Sequence, residues 1–223
     1  MVIPTDLPAL VAPVAWMLGT WEGWGMHAAP AAPGAPADAP ADAPAEDSPV
    51  IEEIRGDVVG EQMRLVTRVY AGVASAPIDP TWDAAQGLSA IKKGDLISEE
   101  TVYVSVAPSD APLPPPGQYN SREFTATSAS TEGHSAVWDG VSVGPRVQMV
   151  SDAIALGADA TRLTHLGRMF GLVAGELMWT QERTLDGEAD VEISGRLHRT
   201  AQASTESGEV IEGIDDSQDG FLV

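Results

Sequence analysis

Gly19-Thr20-Trp21-Glu22-Gly23-Trp24-Gly25 follows the apolar run Val14-Ala15-Trp16-Met17-Leu18. Glycine recurs in it at the two-residue period of a β-strand, so Trp21 shares one face with Gly19, Gly23 and Gly25. Glycine weakens a strand interior and marks a sharp bend or the close approach of another backbone. One indole among three glycines therefore predicts a strand curling around a bulky plug, as at the closed end of a small β-barrel. Read this way the stretch is a packing motif with no chemistry of its own.

The rest of the chain extends the strand pattern. Gln62–Tyr70 alternates, with Met63, Leu65, Thr67 and Val69 on one face, and Glu100–Val106 is rich in β-branched and aromatic residues. Further strands are expected over Arg122–Ser128, Ala136–Trp138, Arg146–Ile154, Thr161–Phe170, Glu176–Arg183 and Val191–Thr200. Turn residues such as Trp138-Asp139-Gly140 and Leu185-Asp186-Gly187 separate several of them. Closely spaced short strands favour an all-β antiparallel sandwich or barrel. Helical signal is thin: one turn within Pro80–Leu88, stopped by Gly87, and another within Thr5–Pro13.

Three segments break the pattern. Residues 27–49 are Ala/Pro-rich and read as a flexible insertion biased toward extended polyproline conformation. Residues 107–117 read as a Pro-rich loop. Residues 201–223 carry Glu206, Glu209, Glu212, Asp215, Asp216 and Asp219 and read as an acidic, disordered tail. The expected organisation is one barrel domain over 1–200 followed by that tail.

Charge narrows the function classes. The 223 residues carry 12 Lys+Arg against 33 Asp+Glu, a formal net charge of −21. Such a field repels phosphate backbones and anionic lipid surfaces, which argues against nucleic-acid and membrane partners. Cysteine is absent, so there is no disulfide framework, thiolate metal site or cysteine nucleophile. No basic leader or run of ~20 apolar residues is present, and a soluble, cytoplasmic protein is the expectation.

Catalytic signatures are missing as well. Nothing matches a nucleotide-binding glycine loop or a G-x-S-x-G elbow. His27, His134, His165 and His198 lie far apart, without paired metal-ligand spacing, so no metal site is expected and each reads as surface or structural. His134 and His165 sit on expected strands and could converge. Adjacent Glu99 and Glu100 must point to opposite faces of a strand and cannot act as a facing acid–base pair. Glu22, Glu176 and Glu192 each interrupt an otherwise apolar or small strand. Inside a barrel they need partners, which Arg168 or Arg196 could supply.

Three stretches together carry a family resemblance. Trp16–Gly25 resembles the W-x-L-G-x-W-x-G-x-G signature of the nitrobindins, calycin-type barrels similar to fatty-acid-binding proteins, with Gly19, Trp21, Gly23 and Gly25 as the motif residues. Gly167–Trp179 resembles the family's penultimate region, and Val191–Arg199 its last strand. The resemblance implies an antiparallel up-and-down barrel of about ten strands with one or two short helical turns. It also implies a b-type haem near one open end, held by a proximal histidine and associated with NO binding and peroxynitrite isomerisation. That histidine belongs to a pattern like H-L-x-A-x-L-x-R. Aligning Leu197 and Arg199 with its end puts Glu192 at the histidine and Ile193 at the leucine.

This departure sets the functional expectation. A carboxylate is outside the usual axial haem set of His, Cys, Met and Tyr. His198 lies six residues further on, an even spacing that predicts the same face but about 20 Å away. The expectation is a nitrobindin-like barrel that has lost family-type haem binding, with no catalytic residue and no cofactor. Its remaining role is left open by the sequence, binding of a small apolar ligand in the barrel being one candidate. The alternative is a haem-binding peroxynitrite isomerase or NO-binding protein with a non-standard axial ligand.

Overall fold

The computed structural model describes residues 7–28, 47–112, 114–115, 118–185 and 188–201. A short 3-10 helix over Ala12–Met17 leads into β1 (Gly19–His27), β2 (Ser48–Val59) and β3 (Gln62–Ala74). An α-helix, α1 (Ala84–Ala90), then precedes β4 (Ile91–Val106), β5 (Ser121–Ser130) and β6 (His134–Val143). The last four strands are β7 (Arg146–Leu156), β8 (His165–Val173), β9 (Glu176–Leu185) and β10 (Glu188–Ala201). Each strand pairs antiparallel with the next and β1 pairs with β10, so the sheet closes into a ten-stranded barrel. The expected architecture is the observed one. No helix among the described residues is long and apolar enough to cross a membrane.

The opening motif sits at the closing seam. Gly19 turns the chain out of the 3-10 helix with φ 108°, a conformation that side chains other than glycine's rarely adopt. Trp21 points inward and is 1% exposed, its Nε1 donating to the Met17 carbonyl at 3.0 Å. A Cβ on Gly23 would overlap the Arg196 carbonyl, and one on Gly25 the Ser194 carbonyl. The glycines thus let the β10 backbone lie where inward side chains would stand. Gly23→Ala is expected to cost at least about 1–3 kcal/mol, as overpacking does. Gly171→Ala, where a Cβ meets nothing within 4 Å, is expected to be neutral within about 0.5 kcal/mol. Thermal melts of the two variants compare them directly.

The 3-10 helix plugs one barrel end. Val11, Val14, Trp16, Met17 and Leu18 join the core cluster with Trp21, Phe170, Leu177 and Leu197. From β10, the Arg199 guanidinium donates to the carbonyls of Leu18 (2.6 Å) and Trp16 (2.7 Å) and lies 4.1 Å above the Trp21 ring. A second, outer cluster forms where Trp24, Ile51 and Ile91 pack with Tyr70, Trp82 and Leu88.

Several boundaries differ from those read in the sequence. The strand β2 was not expected: its Pro49 and the Glu52-Glu53 pair hide the pattern, yet Glu52 is inside and Glu53 on the outer side. The strand β6 runs through Asp139-Gly140 instead of turning there, because Gly140 leaves room for the Phe124 ring. Gly87 does not stop its helix. It lies inside α1, and the Trp24 indole occupies the space of its missing Cβ. The first helical turn falls on Ala12–Met17, later than expected. His27 and Ser48-Pro49 belong to strands and not to the insertion; residues 29–46 and 202–223, together with the conformations expected of them, lie outside the described residues.

Candidate functional site

At the barrel end opposite the plug, β10 carries a bulge between Val191 and Ile193. Val191 pairs with Glu182 and Ile193 with Gln181, leaving Glu192 as the extra residue. A bulge re-aims a side chain, and here both Glu192 and Ile193 end up buried. It also resets the parity of the strand. Ile193, Gly195 and Leu197 face the lumen, so His198 lies on the outer face opposite Glu22, and the same-face expectation for Glu192 and His198 fails.

Glu192 ends a chain of buried polar side chains across the lumen. Its carboxylate accepts from Gln181 Nε2 at 2.8 Å and pairs with Arg183. Gln181 Oε1 accepts from Arg168 Nε at 3.0 Å, and Arg168 pairs with Glu100 at 2.6 Å. The Arg168 guanidinium sits 4.9 Å from the Trp138 ring and 5.7 Å from that of Trp179. Burying these charges is tolerable because each cation meets a carboxylate and the amide of Gln181 bridges the two pairs. Arg196 partners Glu176, one of the pairings the sequence offers, but at 2.5 Å on the outer side and not in the lumen. Arg168 goes instead to Glu100, and Glu192 takes Arg183. Glu99 and Glu100 do diverge, Glu99 outward to Arg68 and Glu100 inward.

Two histidines converge on Glu192. His27 Nε2 lies 3.9 Å from Glu192 Oε1, and buried His134 lines the same space. The sequence places His27 in the Ala/Pro tract, as a surface or structural residue, yet it ends β1, and the alternation that aims Trp21 and Gly25 inward also aims His27 inward. His165 stays apart, its Nδ1 3.5 Å from Ser151 Oγ. Between these groups the free space is about 30 Å³. That is room for water and little more. Among the described residues, no group of three or more His, Cys, Asp or Glu is arranged to hold a metal ion.

One layer toward the plug lies Glu52, fully buried and without a cation among the described residues. Trp179 Nε1 donates to its Oε2 at 2.8 Å, while Oε1 has no partner among the described residues. Burial pushes the carboxyl up to about 8, the indole bond opposing it only in part. Paired Gly25 and Gly195 make its space, since a Cβ on Gly195 would overlap the carboxylate.

This topology, with its seam glycines and inward Glu192, now stands beside known proteins. The model of the THAP4-like, heme-binding beta-barrel domain matches residues 10–199. The chain belongs to the nitrobindin family. A protein of Beutenbergia cavernae named ferric nitrobindin-like protein is 30% identical, covering 89% of this chain and 98% of that protein. A peroxynitrite isomerase of Renibacterium salmoninarum is 24% identical over 89% of this chain and 93% of its own. The crystal structure of Rv2717c from M. tuberculosis superposes with a TM-score of 0.58 at 19% identity, covering 87% of this chain and 99% of that one. That likeness speaks for the fold alone. Within this nitrobindin-family barrel, the motif residues Gly19, Trp21, Gly23 and Gly25 build the seam, and Glu192 sits with Arg183, Gln181, His27 and His134 at the end opposite the plug.

Proposed function

We propose that this nitrobindin-family barrel does not ligate haem in the family manner, and that Glu192 occupies the position of the missing proximal histidine. The observation that supports this reading is the state of the Glu192 carboxylate. It is buried, bonded to Gln181 and Arg183, and faces about 30 Å³ of free space. Sites for organic ligands measure about 300–1,000 Å³. A b-type haem does not fit these residues: its iron would meet a hard anionic oxygen already held by a guanidinium. The small apolar ligand expected inside the barrel has no room beside Glu192, and the role left to the protein is small-ligand binding outside that space, without iron chemistry.

Addition of hemin to the purified full-length protein tests this. The expected result is no stoichiometric, sharp Soret band. Glu192→His, which returns an imidazole to the position without enlarging the space beside it, is expected to remain without that band.

A second reading has one observation in its favour: His27 and His134 offer imidazoles next to Glu192. In that reading the protein binds haem through one of them and isomerises peroxynitrite. A Soret band in the unmodified protein, lost in His27→Ala or His134→Ala and accompanied by faster peroxynitrite decay, would replace the first reading with the second.

A further inference from the structure

We propose that the outer wall of the barrel over β8, β9, β10 and β1 carries a binding site for an amphipathic organic anion, with its apolar body in a methionine-lined groove and its charged end on Arg146. The site lies outside the lumen, and the inference does not depend on the haem reading.

The groove follows from strand parity. Phe170, Trp179 and Leu197 face inward, so their neighbours Met169, Met178 and Arg196 face out. Across this wall lies a concavity of about 660 Å³, whose rim is built by Trp24 and Pro80 on one side and Pro145-Arg146 on the other. That volume is within the range of small-molecule sites. Its floor is open at Gly171, where a Cβ would meet nothing within 4 Å. Met169 and Met178 are about 40% exposed, although apolar. Methionine on an exposed wall suits an apolar ligand of variable shape, because its unbranched side chain repacks easily.

Charge selects the ligand's other end. Arg146 forms no ion pair among the described residues; its Nη2 rests 3.2 Å from Met169 Sδ, at the groove. Across the groove Arg196 is already held by Glu176. A chain with 33 acidic and 12 basic residues repels polyanions. The Arg146 guanidinium, unpaired with a carboxylate among the described residues and set beside an apolar trough, matches a single carboxylate or sulfonate on an apolar body.

Fluorescence titration of the full-length protein with 11-(dansylamino)undecanoic acid, and with its methyl ester, tests the site. The acid is expected to bind saturably at one equivalent, several-fold more tightly than the ester. Arg146→Gln should weaken the acid about tenfold and leave the ester within twofold. Gly171→Leu, which fills the floor, should weaken both at least tenfold without lowering the thermal midpoint. Should that variant fold poorly, Met178→Glu, on an exposed side chain, should weaken the acid more than the ester. Absence of saturable binding, or binding unchanged by the groove variants, would overturn the proposal. So would sedimentation showing a dimer that Gly171→Leu dissolves, since a second copy would then cover the groove.

Discussion

Arg168→Ala is expected to destabilise the barrel by about 3–5 kcal/mol, the cost of removing one partner from a buried ion pair. Glu100 would be left buried without its cation, and Gln181 Oε1 would lose its donor. The Trp138 and Trp179 rings would also lose the guanidinium between them. The double variant Arg168→Met, Glu100→Gln should recover more than half of the loss, because it removes both charges while keeping the lumen filled. Urea unfolding of the three proteins measures this. A loss below 1 kcal/mol in the single variant would mean that water reaches Glu100 and that the lumen is wetter than its 30 Å³ of free space implies.

The second large effect is a pH dependence set by Glu52. Its carboxyl titrates at about 8 in the folded barrel against an ordinary value of 4.5. Between these values the unfolded chain has released the proton and the folded one still holds it. The unfolded state then binds fewer protons, so stability falls as pH rises, by up to about 1.4 kcal/mol per pH unit. The contribution is complete below 4.5, is lost progressively up to 8, and is flat above. Glu52→Gln keeps an acceptor for Trp179 Nε1 and cannot titrate. Its stability relative to the parent should therefore rise by several kcal/mol between pH 5 and pH 8. Parallel pH profiles for the two proteins would show that Glu52 is not a neutral acid in the native state.

Much of the barrel can be read in the chain because its faces alternate. Trp21 among glycines, Met63-Leu65-Thr67-Val69 and the Glu99/Glu100 split each follow from the two-residue period, and the structure keeps them. What escaped reading has specific causes. Glu52 is a buried carboxylate with no cation among the described residues, so β2 lacks an apolar pattern where it is most buried. The bulge at Glu192 leaves no mark in composition, yet it reverses the face of every later residue, which is why His198 was misplaced. Gly87 and Gly140 resemble breakers because glycine's common use is in turns, whereas here each accommodates an aromatic ring from another element. The site was half legible. Glu192 stood out as a charge in a closing strand, but its partners lie on β9 and β1, and no local spacing announces Arg183 or His27.

The closing seam has a consequence for how the protein comes into being. The Arg199 guanidinium meets the Leu18 carbonyl across 181 positions of chain, and Thr20 pairs with Ala201. At roughly 5–20 residues per second of synthesis, the first strand is made some 10–40 s before its last neighbour. During that wait Trp21, Trp24 and the apolar helix ahead of them have no final partner on one side. Folding that depends on such distant pairing is slow. The nascent chain must keep this edge from associating elsewhere until the tenth strand arrives, and the ring can close only as a late, single event.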